Sequence, residues 1–203
     1  RFCLHGRSVL RTGIVAAACC LCAGAVAAPA FAQNIPEAQK QEVSCVHDAL
    51  VARGQTALAA ESYLNVTTAD GVRGAADNAI NAAASDCARK YGWDETLRGQ
   101  ALAIGVMGST ADFMASELKE AGVTDAAIEK VFGLVDGLSK RDRELLFDGA
   151  WSDDRAFMAR MRSKLKAVGV SSDEDTIHKA VVILECSVIG SESASAFIEQ
   201  RFG

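Results

Sequence analysis

The 203-residue chain predicts an all-α fold of about seven helices in one irregular, bundle-like or orthogonal array, preceded by a signal peptide. Three observations carry that reading. No segment alternates polar and apolar residues as a half-buried strand would. A short grammar also recurs: Gly92-Trp93-Asp94, Gly122-Val123-Thr124, Gly137-Leu138-Ser139 and Gly169-Val170-Ser171 share one form, and Gly149-Ala150-Trp151-Ser152 adds one residue to it. Glycine accepts the left-handed conformation that ends a helix, the apolar residue packs back on the last turn, and Ser, Thr or Asp caps the next helix. Finally, two stretches have charge-poor centres: Gly99 to Ala111 carries no charge, and Ala180 to Gly190 carries only Glu185. Helices apolar around most of their circumference belong in a core, so these two are expected to pack together.

Residues 1–32 differ from the rest. Arg1, Arg7 and Arg11 make a basic start, Gly13 to Ala28 are uncharged, and Ala30-Phe31-Ala32 closes with small residues. That order is the one a secretory signal uses, and it predicts cleavage after Ala32 and a periplasmic or secreted protein. Sixteen residues rich in Ala and Gly make a poor spanning helix, so the mature chain is not expected to span a membrane. Residues 33–36 read as a linker and residues 37–203 as a single helical domain.

Removing the signal changes the charge and the cysteines. All 26 acids but only 18 of the 21 basic residues follow residue 32, which leaves the mature chain at −8. That balance excludes nucleic acid as a partner, because binding it needs clustered positive charge. Cys3, Cys19, Cys20 and Cys22 fall in the signal, so the Cys-x-x-Cys spacing of Cys19 and Cys22 is not a redox site. Cys45, Cys87 and Cys186 remain, in a compartment where disulfides persist.

Pro36 suits a first helical turn, and helical sequence follows from Glu37 to about Asn65, with Gly54 as a weak point. Asn65-Val66-Thr67 is a glycosylation sequon that matters only in a eukaryotic host. Thr67 or Thr68 is placed to cap the next helix, which runs to Tyr91. A hairpin turning near residue 66 would set Cys45 and Cys87 at one level, so a Cys45–Cys87 disulfide is expected. The glycine grammar then predicts helices near 94–121, 124–136, 139–148, 152–168 and 172–201. On the central helix Ala101, Gly105, Gly108 and Ala115 share a narrow face suited to close approach, with Asp112 on the same side. Gly108-Ser109-Thr110 also resembles the capping grammar, which marks Gly108 as a candidate break.

Chemical motifs are scarce. The chain has no phosphate-binding glycine loop, no Gly-x-Ser-x-Gly elbow and no His-Glu-x-x-His, and neither a metal nor a cofactor is predicted. Asp175-x-x-His178 has ligand-like spacing, but an acid in a first helical turn is favoured by the dipole alone. Cys45 and His47, two apart, point to different helix faces. Cys186 reads as a buried thiol, with a bridge to a second copy as the alternative. Its neighbour Glu185 is expected to face water or pair with a base rather than to be a buried acid. The 152–168 helix sets Phe157, Met161 and Leu165 against Arg155, Arg162 and Lys166, read as a solvated basic face rather than a lipid-binding one.

Without a catalytic motif, the favoured expectation is a non-enzymatic exported protein that binds an envelope protein or a small ligand. An enzyme using scattered residues, Asp112, His178, Glu185 and Cys186, would need them to converge on one pocket. A carrier of an apolar small ligand would need a cavity of a few hundred cubic ångströms beside the central helix, in the usual range of about 300–1,000 Å³.

Overall fold

The computed structural model describes residues 35–64 and 70–203. The expected signal segment, the Asn65 sequon and the Thr67 or Thr68 cap lie outside the described residues. Among those described, the fold is all-α, with nine α-helices and no strand. They are α1 (Glu37–Val43), α2 (Cys45–Ala52), α3 (Thr56–Leu64), α4 (Asp70–Tyr91), α5 (Glu95–Glu120), α6 (Asp125–Gly133), α7 (Lys140–Phe147), α8 (Arg155–Ala167) and α9 (Glu174–Phe202).

Nine replace the expected seven because residues 37–64 form three helices where one was expected. Ser44 breaks the first helix and turns its hydroxyl to Asp48, donating at 2.7 Å. Gly54 ends the second with φ +64°, and Gln55 N then donates to Leu50 O. Gly54-Gln55 thus repeats the glycine turn with a polar residue in the apolar place, and Thr56 begins α3 rather than capping it.

Elsewhere the grammar works as its chemistry demands. Gly92, Gly122, Gly149 and Gly169 all have positive φ. Trp93, Val123 and Val170 are buried, and each donates its N–H five residues back, to Ala88, Leu118 and Leu165. Asp94, Thr124 and Ser139 accept from the backbone N–H three residues on, as N-caps do. Three details differ. Gly137 is not left-handed but ends a 3₁₀ turn, Leu134–Gly137. Asp154 and Asp173, not Ser152 and Ser171, cap α8 and α9. A 3₁₀ turn that buries Trp151 delays the first of these helices, and a turn in which Ser171 Oγ accepts from Asp173 N delays the second.

The two charge-poor helices form the core together. Asp94 meets Gln200, Met107 meets Gly190, and Glu117 meets Lys179, so α5 and α9 run antiparallel along their lengths. By length and composition α9 could cross a bilayer, but its apolar residues from Ala180 to Leu184 are buried in this core. Ile183 and Phe197 of α9 and Phe157 and Leu165 of α8 are fully buried, each stabilising the fold by roughly 1.5–3 kcal/mol.

The candidate break at Gly108 does not occur: α5 is continuous from Glu95 to Glu120. The small face instead receives α2. A Cβ on Gly105 would lie 2.5 Å from Val46 Cγ1, and one on Gly108 would lie 2.9 Å from the His47 ring. These glycines therefore serve helix approach, not helix termination. Cys45 bonds to Cys87 with a Cα separation of 6.0 Å, tying α2 to α4. The level argument that suggested this pair does not explain it, because Gly54 interrupts the hairpin it assumed. Packing of α2 directly on α4 and α5 brings the cysteines together.

Candidate functional site

Where α1 and α2 meet α5, the end of α6 and the C-terminal half of α9, the helices leave a cavity of about 460 Å³. Small residues make the room. Gly108 and Ala111 on α5 face Gly190, Ser191 and Ala194 on α9 across it. Ile104, Met107, Phe132, Val135 and Ile198 add apolar wall. The paired sequences Val106-Met107-Gly108-Ser109 and Val188-Ile189-Gly190-Ser191 thus place one glycine each on the same space.

The polar wall centres on His47. Its Nε2 is 2.8 Å from Asp112 Oδ2, and its Nδ1 is 3.7 Å from Asp48 Oδ1. Gly108 permits this contact, since a side chain there would strike the imidazole. Burial opposes the charged ring, but the carboxylates of Asp112 and Asp48 outweigh it and raise the pKa above its ordinary 6.5. The Nε2–H of His47 donates to the Asp112 carboxylate, and the contact favours the charged form of the ring.

Serines form the third part. Ser187, Ser191 and Ser195 lie at successive four-residue steps along α9 and all line the cavity. Each hydroxyl donates to its own helix, to the carbonyls of Ile183, Val188 and Ser191. Their free lone pairs accept hydrogen bonds, and none donates to His47. No serine there is activated as a nucleophile, which would need a base within hydrogen-bond reach.

Of the scattered residues considered for catalysis, Asp112 and Cys186 line the cavity, while His178 and Glu185 do not. The enzyme constellation therefore divides. Asp112 takes His47 as its partner. His178 stacks obliquely on Trp151 with ring centroids 5.2 Å apart, and Asp175 pairs with Lys179 at 2.8 Å. Glu185 neither faces water nor pairs with a base. It is 7% exposed, beside Trp151 and Tyr63, and burial raises its pKa against their opposing effect. Cys186 is 1% exposed, and burial, with Glu185 nearby, pushes its thiol pKa up. It is a core thiol, not a surface one.

Of the basic face expected on α8, Arg155 and Lys166 are exposed and Arg162 meets a carboxylate, while two further basic residues of the helix also find partners. Arg160 pairs with Asp142, Arg162 with Glu174, and Lys164 donates to the Gly137 carbonyl. Phe157, Met161 and Leu165 on its other face are fully buried.

Sequence reasoning missed His47 as the partner of Asp112, because His47 was weighed only against its neighbour Cys45. The signal was the small face of α5, on which Asp112 sits: a face shaped for another helix brings that helix's side chains with it. The serine steps on α9 were also legible but have no meaning without a cavity. No protein-family model, no curated protein and no solved structure matches this chain.

Proposed function

We propose that this chain is an exported, non-enzymatic binding protein that holds one apolar small molecule between α5 and α9. The cavity carries this reading. Its volume of about 460 Å³ lies within the range of small-molecule sites, and the surface of its wall is mostly apolar, with polar groups set among it. Unlike those of an active site, the polar groups described on that wall include no nucleophile with a base, and the one imidazole among them is engaged by carboxylates. Export is supported by the order of basic, apolar and small residues in 1–32, which is the order of a secretory signal and fits a periplasmic or secreted protein. A role in docking another envelope protein is the second reading, and nothing specific in the fold favours it.

The experiment is a fluorescence titration of the mature protein with N-phenyl-1-naphthylamine, a neutral apolar dye. Saturable enhancement at one site per chain is expected, and Ala194→Trp, which fills the cavity wall, should abolish it. Absence of saturable binding, or binding unchanged in Ala194→Trp, refutes the proposal.

A further inference from the structure

The cavity wall also has a chemical sense. Four serine hydroxyls line it, Ser44, Ser187, Ser191 and Ser195, and every one already donates within the protein: Ser44 to Asp48, the others to the α9 backbone. An oxygen whose hydrogen is committed offers only lone pairs. The charged groups lean the same way. Asp48, Asp112 and Asp136 line the space, against Lys40 and His47. Lys40 has the Glu37 carboxylate 3.6 Å away, and His47 has Asp112 and Asp48. Both cations thus already face carboxylates. Asp136 is exposed and has no ion pair among the described residues. The wall therefore presents acceptors and negative charge, with its donors largely used.

We propose that the ligand is an amphiphilic cation: a primary or secondary amine whose ammonium meets the acceptor-rich wall while its hydrocarbon lies between α5 and α9. This rests on the small-molecule reading above and sharpens it. An ammonium brings several N–H donors and a positive charge, which is what such a wall lacks. A fatty-acid carboxylate would bring further acceptors and a like charge against Asp112 and Asp136, so the same wall that favours amines rejects acids. A neutral alcohol of equal length shares the hydrocarbon and lacks the charge.

The test is calorimetric titration of the mature protein with three twelve-carbon amphiphiles, each below its micelle concentration or solubility limit: dodecylamine, dodecanol and dodecanoate. Dodecylamine is expected to bind at least about tenfold more tightly than dodecanoate, with dodecanol between them. Asp112→Asn should narrow the amine preference, but it also loosens α2. Asp136→Asn, at an exposed unpaired position, should narrow it by about two- to fivefold, the range for a partly exposed ion pair, without altering the fold. Equal binding of all three, or tighter binding of dodecanoate, overturns the cation assignment and leaves the small-molecule reading standing. Binding of none of the three refutes both.

Discussion

Replacing Gly105 with alanine tests how α2 is seated on α5. The added Cβ would lie 2.5 Å from Val46 Cγ1, 2.8 Å from Val46 Cβ and 3.2 Å from the His47 backbone nitrogen. A valine branching at Cβ and a backbone atom cannot swing aside as a long side chain would, so α2 must move bodily. Overpacking of this kind costs about 1–3 kcal/mol. Alanine also gains about 0.8–1 kcal/mol of helix propensity over glycine, which masks part of that cost. Gly99→Ala is the control: Gly99 is exposed on the same helix, with nothing within 4 Å of the new Cβ. The propensity gain is common to both, so the difference between the two variants isolates the clash. By thermal circular dichroism with the disulfide intact, Gly105→Ala should melt below Gly99→Ala by roughly 2–12 °C, at about 2–4 °C per kcal/mol for a domain of this size. Adding Val46→Ala to Gly105→Ala should recover part of that gap. Equal melting temperatures for the two glycine variants would show that α2 does not press on α5 as described.

Other consequences are independent of that contact. The raised pKa of His47 stabilises the fold fully below about pH 6.5, and the contribution is lost as pH rises through the higher folded value. His47→Gln should therefore lack the decline in melting temperature that the wild type shows above that pH, and a histidine NMR titration should place the His47 ring above 6.5. Glu185 also has a raised folded pKa, so its ionisation destabilises the protein as pH climbs above about 4.5. Glu185→Gln should raise the melting temperature at neutral pH and change it little near pH 4; no rise at neutral pH would contradict the buried-acid assignment. The Cys45–Cys87 bond closes a loop with a sequence separation of 42, for which chain entropy gives ~4 kcal/mol. Its reduction should lower the melting temperature by roughly 8–16 °C. Ser109 is fully buried with no partner for its hydroxyl among the described residues, so Ser109→Ala should hold or raise stability, by up to about 2 kcal/mol; a clear loss would mean that the hydroxyl is satisfied.

Much of the fold was legible because helix ends have local chemistry. Gly-apolar-cap triplets around residues 92, 122 and 169 place real left-handed glycines and buried Schellman residues. Reading failed where the local code was altered. Gln55 replaces the apolar middle residue after Gly54, so the first helix was drawn too long. Gly108 has the look of a terminator yet sits in mid-helix, because the helix packed against it supplies the reason for a glycine. The charge-poor centres of α5 and α9 identified the core pair, since burying such surface leaves little choice of position. The cavity was less legible. Its residues come from α1, α2, α5, α6 and α9, and only the packing of those helices sets His47, Ser187, Ser191 and Ser195 on one space. Glu185 was misjudged for the same reason: an acid in an apolar helix looks costly until Tyr63 and Trp151 are seen beside it.

The cavity itself is tested most directly by mapping a neutral ligand on the ¹⁵N- and methyl-labelled mature protein. On titration with dodecanol, chemical-shift changes should saturate together and concentrate on Ile104, Met107, Ala111, Gly190, Ala194 and Ile198. Changes that never saturate, or that spread over the surface of α7 and α8 while these six stay fixed, would contradict a binding site between α5 and α9.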